Sequence, residues 1–136
     1  MGEVRVKVKL TNLIEESLAR RGLLDPGTVH SIEADALVDT GATRGIIPRE
    51  VADALHLDLD GETVATYADG RTGVVPRTDP VRVEVMGRDA VEEVIVLGDE
   101  VVIGQLVLEA MDLRVDCKNQ QVIPNPKHPD GPAFRV

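Results

Sequence analysis

Apolar and polar residues alternate along much of the chain, with the period of two that is typical of a strand with one buried face. Residues 4–10 read Val-Arg-Val-Lys-Val-Lys-Leu, and residues 81–85 read Val-Arg-Val-Glu-Val. Further strands are predicted at residues 31–38, 63–67, 73–77, 91–97, 101–103, 113–117 and 121–123. Asp69-Gly70 separates two of these strands, and because both residue types tolerate a positive φ angle we expect a hairpin there. The pattern therefore predicts a mostly β protein.

Three short segments have helical features instead. The first starts from a cap at Thr11 or Asn12, carries glutamates in its first turns, and continues through Arg21. The other two cover residues 48–56 and 106–111, and a polar turn is predicted at residues 58–61. These helices are too short to change the fold class.

Length and composition favour one domain with an aliphatic core. The chain has 136 residues, 21 of them valine, and its only aromatic residues are Tyr67 and Phe134. Abundant β-branched residues favour strands over helices. Prolines recur from position 124 onward, so we expect a single domain over residues 1–124 and an extended or mobile proline-rich tail over residues 125–136.

The formal net charge of −9 excludes several classes of partner. Nucleic acids and anionic membranes bind clustered Lys and Arg, so we expect neither as a partner. No apolar run approaches the ~18 residues that cross a bilayer, and residues 1–10 lack the apolar core of a signal peptide. We therefore expect a cytoplasmic protein. Cys117 is the only cysteine, which excludes an internal disulfide, and its place on a predicted strand suggests a buried core residue.

Asp39 is the strongest candidate for chemistry. It follows the apolar run Ala36-Leu37-Val38 and precedes Thr-Gly-Ala, small residues that suit a tight loop. A carboxylate at the end of a buried strand is costly unless backbone N–H groups or a partner receive it. Glycine allows the close backbone approach that a held catalytic carboxylate needs. The tripeptide alone is also compatible with an ordinary Asx-type turn after a strand.

The wider context of Asp39 resembles the retropepsin-like aspartic proteases. The run from Ala36 to Thr43 resembles their active-site signature, and the hairpin at Asp69-Gly70 lies where that family has its flap. Val102-Ile103-Gly104-Gln105-Leu106, followed by a helix, resembles the family's second apolar-apolar-Gly motif. The order and spacing match over residues 32–123, and the stretch through His30 looks like that of the cellular, prokaryote-type members.

The resemblance implies an all-β retropepsin-like acid-protease fold: a small closed β-barrel with a flap hairpin and one to three short helices. Family members of this length form one half of a homodimeric protease, each subunit giving one aspartate. The function implied is a homodimeric aspartic endopeptidase, a hydrolase of peptide or protein substrates, in which a water is activated between two Asp39 carboxylates. No metal and no cofactor are needed. The implied active-site loop and dimer lock comprises Thr40, Gly41 and Ala42, and the implied substrate-binding flap comprises Ala68, Asp69, Gly70 and Arg71.

Two alternatives remain open. A catalytically inactive retropepsin-like module could use the same groove to bind an extended peptide by strand addition. A generic β-barrel interaction domain could carry Asp-Thr-Gly by accident. An intact Asp-Thr-Gly favours the enzyme over the inactive module, and the surrounding motifs disfavour an accidental match. His30, His56 and His128 lack metal-ligand spacing, so surface or structural roles are predicted for them.

Overall fold

The computed structural model describes residues 2–136 and is mostly β, as the alternating pattern predicts. Its strands are β1 (Arg5–Asn12), β2 (Ser31–Val38), β3 (Ile46–Ile47), β4 (Leu59–Thr66), β5 (Thr72–Val85), β6 (Arg88–Val96), β7 (Val102–Ile103), β8 (Leu113–Asp116) and β9 (Gln121–Pro124). Its α-helices are α1 (Leu13–Arg20), α2 (Arg49–Ala54) and α3 (Gln105–Ala110). A 3₁₀ turn covers Pro26–Thr28.

Seven strands form one sheet in the order β1-β2-β7-β3-β6-β5-β4, and an additional β1–β5 pairing closes it into a ring. The closing pairs run from Lys9 opposite Glu84 to Asn12 opposite Val81. Most neighbours are antiparallel, but β2 pairs with β7 in parallel and β3 pairs with β6 in parallel. The β2–β7 pairing brings the ends of these two strands side by side, which positions the candidate site.

The core inside the ring is aliphatic, as the composition predicts. Alternate residues of β5 (Val81, Val83 and Val85) are at most 1% exposed. The same cluster includes Leu10 of β1, Ile103 of β7 and Leu108 of α3. Burying aliphatic side chains of this size stabilises the fold by about 1.5–3 kcal/mol each relative to full exposure.

The N-terminal segment folds as predicted and is tied to α2. The Asn12 side chain caps α1 by accepting a hydrogen bond from the Glu15 N–H, and its Nδ2 donates to the Leu55 carbonyl at 2.9 Å. The His30 and His56 rings stack with centroids 3.7 Å apart, and His30 Nδ1 lies 2.8 Å from Glu15. Partial burial opposes the shift, but the hydrogen bonds from His30 lower the pKa of Glu15 below its usual value.

Three local predictions are wrong. The polar turn at residues 58–61 is absent, because β4 already begins at Leu59 and absorbs Gly61 as a bulge with a φ angle of +146°. The predicted strands at residues 73–77 and 81–85 are one 14-residue strand, with an irregular register between Arg77 and Pro80. Cys117 is exposed just after β8 instead of being buried in the core, because the hairpin turn begins there.

The proline-rich segment is anchored rather than free over much of its length. Asn125 is buried, and its Nδ2 donates to Asp112. His128 Nδ1 lies 2.5 Å from Asp112 Oδ2, and the Ala133 N–H donates to the same oxygen. These hydrogen bonds, led by that from Asn125, lower the pKa of Asp112 to about 2. Buried Arg88 adds a bond to the His128 carbonyl, so the start of the tail is part of the folded unit.

Candidate active site

Asp39 follows β2 directly and begins a loop, residues 39–45, that leads into β3; we call it the Asp39 loop. Val38 pairs with Ile103 of β7, and the Asp39 N–H donates to the Ile103 carbonyl at 3.0 Å. The strand pairing therefore continues to the residue that carries the carboxylate. This fixes the position of the Asp39 backbone relative to Gly104, the next residue after β7.

A tight turn orients the Asp39 carboxylate. The Gly41 N–H donates to Asp39 Oδ1 at 2.9 Å, and the Ala42 N–H donates to the Asp39 carbonyl at 3.1 Å. Asp39, Thr40 and Gly41 are exposed, whereas Ala42 is half-buried. The carboxylate is thus aimed by one backbone donor and open on its remaining sides, so it can bind a water molecule or a substrate group.

The N-terminal end of α3 supports the Asp39 loop from behind. The Gln105 N–H donates to the Ala42 carbonyl at 2.8 Å, and the Leu106 N–H donates to the Thr43 carbonyl at 3.1 Å. A Cβ atom at Gly104 would lie 2.5 Å from the Ala42 carbonyl oxygen and 2.9 Å from that of Arg44. Glycine is therefore required by close backbone packing, which gives the second apolar-apolar-Gly motif a structural role.

Strand β6 supports the other end of the Asp39 loop. The Gly45 N–H donates to Glu92 Oε2 at 3.1 Å, and the Gly45 carbonyl accepts from the Ile95 N–H at 3.0 Å. Arg44 donates to the Glu93 carbonyl. Burial raises the pKa of Glu92 to about 7, against the opposing effects of the Gly45 N–H and the Arg44 charge.

Sequence reasoning missed Glu92, although a signal was present. Ala90, Val94 and Val96 occupy alternate positions of β6 and are buried, and Glu92 falls in the same series. An acidic residue on the inward face of a strand is costly unless it has a partner. That alternation could have identified Glu92 as a residue with a specific role.

The hairpin predicted around Asp69-Gly70 is present and is formed by β4 and the first part of β5. Its tip is closed by a bond from the Tyr67 N–H to the Arg71 carbonyl at 2.8 Å and by one from the Gly70 N–H to the Tyr67 carbonyl. Gly70 has a φ angle of +86°, and the side chains of Asp69 and Arg71 form an ion pair across the turn. All residues from Ala68 to Arg71 are exposed.

The structure brings only some of the predicted site residues together. One loop contains Asp39, Thr40, Gly41 and Ala42. The hairpin tip is separate from it, since no hydrogen bond among residues 2–136 joins the tip to that loop. Two surface clefts border β1, and neither is lined by the Asp39 loop.

Residues 2–136 contain neither a metal-ligating cluster nor a membrane-spanning helix. No group of three His, Cys, Asp or Glu side chains there could hold a metal ion. Over the same residues, no helix is both long and apolar enough to span a membrane.

Comparison with known proteins identifies the family. The model of the family described as aspartyl protease matches residues 26–116. The retroviral protease-like domain of Ddi1 from Leishmania major has a TM-score of 0.56 at 16% identity, covering 93% of this chain and 90% of that one. The simian foamy virus (mac) protease has a TM-score of 0.48 at 14% identity, covering 76% of this chain and 90% of that one. The curated proteins give no match. This chain, with its Asp39 loop held between β7, α3 and β6, belongs to the aspartyl protease family and has the retropepsin-like fold.

Proposed function

We propose that the protein is a homodimeric aspartic endopeptidase in which Asp39 is the catalytic residue of each subunit. The observation that carries the proposal is the Asp39 carboxylate, which is exposed at the end of β2 and oriented by the Gly41 N–H. Its place in a family of aspartyl proteases supports the same chemistry. The substrate class is an extended peptide or protein segment.

A second copy of the chain is needed for the reaction. Asp-Thr-Gly occurs once in the sequence, at residues 39–41, and the mechanism requires a general base and a general acid. Two-fold symmetry places the same loop of each subunit at one axis, with Thr40 and Ala42 beside it. The exposure of Thr40 leaves its hydroxyl able to bond across that axis.

Two Asp39 carboxylates ~3 Å apart would share one proton, because both cannot easily carry a charge at that separation. The ionised carboxylate removes a proton from a bound water, and the water oxygen attacks the peptide carbonyl carbon. The protonated carboxyl group donates its proton to the carbonyl oxygen. Collapse of the tetrahedral diol breaks the C–N bond, and the amine leaves with a proton from the first carboxyl group. The second carboxylate takes a hydroxyl proton back from the diol, which releases the acid product and restores the pair with one shared proton.

The β4–β5 hairpin is the segment that would cover the bound peptide. Its tip, Ala68 to Arg71, is exposed and joined to the body only through the two strands. Extended peptides bind to strands through backbone hydrogen bonds, which orient the peptide whatever its side chains are. The tip would then order on binding and exclude water from the reacting bond.

A peptide-library digest tests the proposal, with wild type compared with Asp39→Asn. Asparagine retains the shape and can still accept from the Gly41 N–H, but it cannot act as a base. Cleavage by wild type and none by the variant is expected. Glu109→Gln, at an exposed position of α3, is a matched control that should cleave normally. Equal cleavage by Asp39→Asn would refute the assignment, and peptide binding without cleavage would favour the inactive peptide-binding module.

A further inference from the structure

Glu92 occupies a position in the ring where the sequence pattern calls for an apolar residue. It lies on the same face of β6 as Ala90 and Val94, and it pairs in register with Val81 of β5, which is fully buried. One of its oxygens, Oε1, is buried and has no hydrogen-bond partner within the described residues. A carboxylate in this position is expensive, so its presence calls for a compensating role.

The surroundings of Glu92 point to the Asp39 loop. Its Oε2 accepts the Gly45 N–H at 3.1 Å, and a Cβ atom at Gly45 would lie 2.7 Å from that same oxygen. Gly45 is thus the residue that allows the carboxyl group to approach the loop backbone. The charged side chain acting on Glu92 is Arg44, which also belongs to the loop. Opposite Glu92 on β5 is the apolar residue Val81, and the backbone carbonyl of Val102 in β7 lies close to Gly45.

We propose that Glu92 is a positioning residue for the Asp39 loop, holding it through the Gly45 N–H in the geometry that the reaction needs. The proposal rests on the proposed protease function for its catalytic consequence. The loop is held by α3 at one end and by β6 at the other, where the Glu92 side chain adds an acceptor to the Ile95 and Arg44 hydrogen bonds. Losing it weakens the hold on the end of the loop opposite Gly104.

The neutral carboxyl group serves this role better than the carboxylate. In both states an oxygen can accept the Gly45 N–H, but only the carboxylate leaves a charge in a largely apolar site with Oε1 unpaired. Burial raises the pKa of Glu92 to about 7, so the neutral form is populated under mildly acidic conditions. Ionisation strengthens the Gly45 N–H bond itself but places a charge in this site, which favours water entry at Glu92.

Two amide protons report the proposed link directly. In wild type, the NMR shift of the Gly45 amide should follow pH with a midpoint near 7, and in Glu92→Gln that transition should vanish. Glu92→Met, which removes the acceptor at similar volume, should speed hydrogen exchange at the Gly41 amide, whose acceptor is Asp39. Glu93→Gln is the matched control: its side chain faces Arg77 instead, and both reporters should be unchanged.

The kinetic expectation separates positioning from general stability. Below pH 7, Glu92→Gln should keep kcat within about twofold of wild type, whereas Glu92→Met should lose about tenfold in kcat with little change in KM, the effect of one lost hydrogen bond. A Gly45 amide shift without a transition near neutral pH, or full kcat in a folded Glu92→Met, would overturn the proposal. If wild type cleaves no peptide while both amide reporters respond as expected, the link stands and the protease function fails.

Discussion

Gly104 shows how a single missing methyl group shapes the site. Its backbone φ angle is −105°, which any residue adopts, so the requirement for glycine comes from space alone. A Cβ atom there would meet backbone carbonyls from two residues of the Asp39 loop, and backbone cannot turn aside as a long side chain can. The close contact between β7 and the loop is therefore built into the sequence at this position.

Gly104→Ala should lower the free energy of unfolding by about 1–3 kcal/mol, because the added methyl group forces the loop and α3 apart. Urea denaturation measures the loss, and peptide cleavage should fall with it. Gly131→Ala is the control, since a Cβ atom there meets nothing within 4 Å. Equal stability of the two variants would contradict the packing argument.

Glu92 makes stability depend on pH in a defined direction. Its folded pKa, about 7, lies above its usual 4.5, so the folded state binds more protons than the unfolded state between these values. Wild-type stability should therefore fall as pH rises from about 4.5 to about 7 and then level off. Glu92→Gln lacks this loss and should be more stable than wild type at pH 8 by on the order of 1–3 kcal/mol.

Urea midpoints of wild type and Glu92→Gln at pH 4 and pH 8 check this expectation. The difference between the two proteins should be small at pH 4 and should favour the variant at pH 8. The same difference at both pH values would show that Glu92 does not titrate between them.

At the residue scale, the sequence was informative where a residue belongs to a local pattern. Asp39 was found because its strand, loop and glycine are contiguous. Glu92 was missed because its meaning depends on Gly45, 47 positions away, which no local window contains. Cys117 was misplaced because β8 ends at Asp116, one residue before the predicted end of the strand, and the hairpin turn begins at Cys117.

At the scale of elements, the hairpin formed by β4 and β5 has a well-defined turn on a protruding ribbon. Val64 and Val74 form a cross-strand pair on its outer side and are about two-thirds exposed, at 65% and 64%. The body of the protein therefore contributes little packing to that side of the hairpin. Few buried contacts are the usual mark of a segment with low local stability.

A peptidomimetic inhibitor should slow amide hydrogen exchange over residues 68–72, because the tip would close over the ligand and lose access to water. Exchange mass spectrometry with and without inhibitor measures the change. The turn between β8 and β9, residues 117–120, is a built-in control and should exchange at the same rate in both states. Equal protection of the β4–β5 tip would argue against its role as a flap.

The break predicted between residues 77 and 81 is absent, because β5 runs on from Thr72 to Val85. Its pairing with β6 is irregular between Arg77 and Pro80, so the strand accommodates Pro80 next to a register shift instead of ending there. Helices were predicted more accurately because caps such as Asn12 act locally.

At the scale of the whole molecule, the proposed function makes activity a property of two chains, because Asp-Thr-Gly occurs once in the sequence. Mixing wild type with Asp39→Asn should form hybrid dimers that carry one functional carboxylate and do not cleave peptides. With random subunit exchange, a roughly fourfold excess of the variant should reduce activity per wild-type chain to about a fifth.

The mixing experiment needs subunits that exchange, which sedimentation over a range of concentrations establishes. Adding the same excess of an unrelated acidic protein controls for dilution and crowding. Activity proportional only to the amount of wild type, in mixtures known to exchange, would rule out a site shared between subunits.

The closure of the ring by β1 has a consequence for how the protein can be shortened. The family match begins at residue 26, yet the strand that joins β2 to β5 lies before it. A protein cut at that boundary would keep the Asp39 loop but expose unpaired backbone along two strand edges. Such edges recruit other chains, so the shortened protein should self-associate through its sheet instead of remaining a discrete folded unit. We therefore expect β1 to prevent aggregation by covering the edges of β2 and β5, a role separate from the proposed chemistry at Asp39.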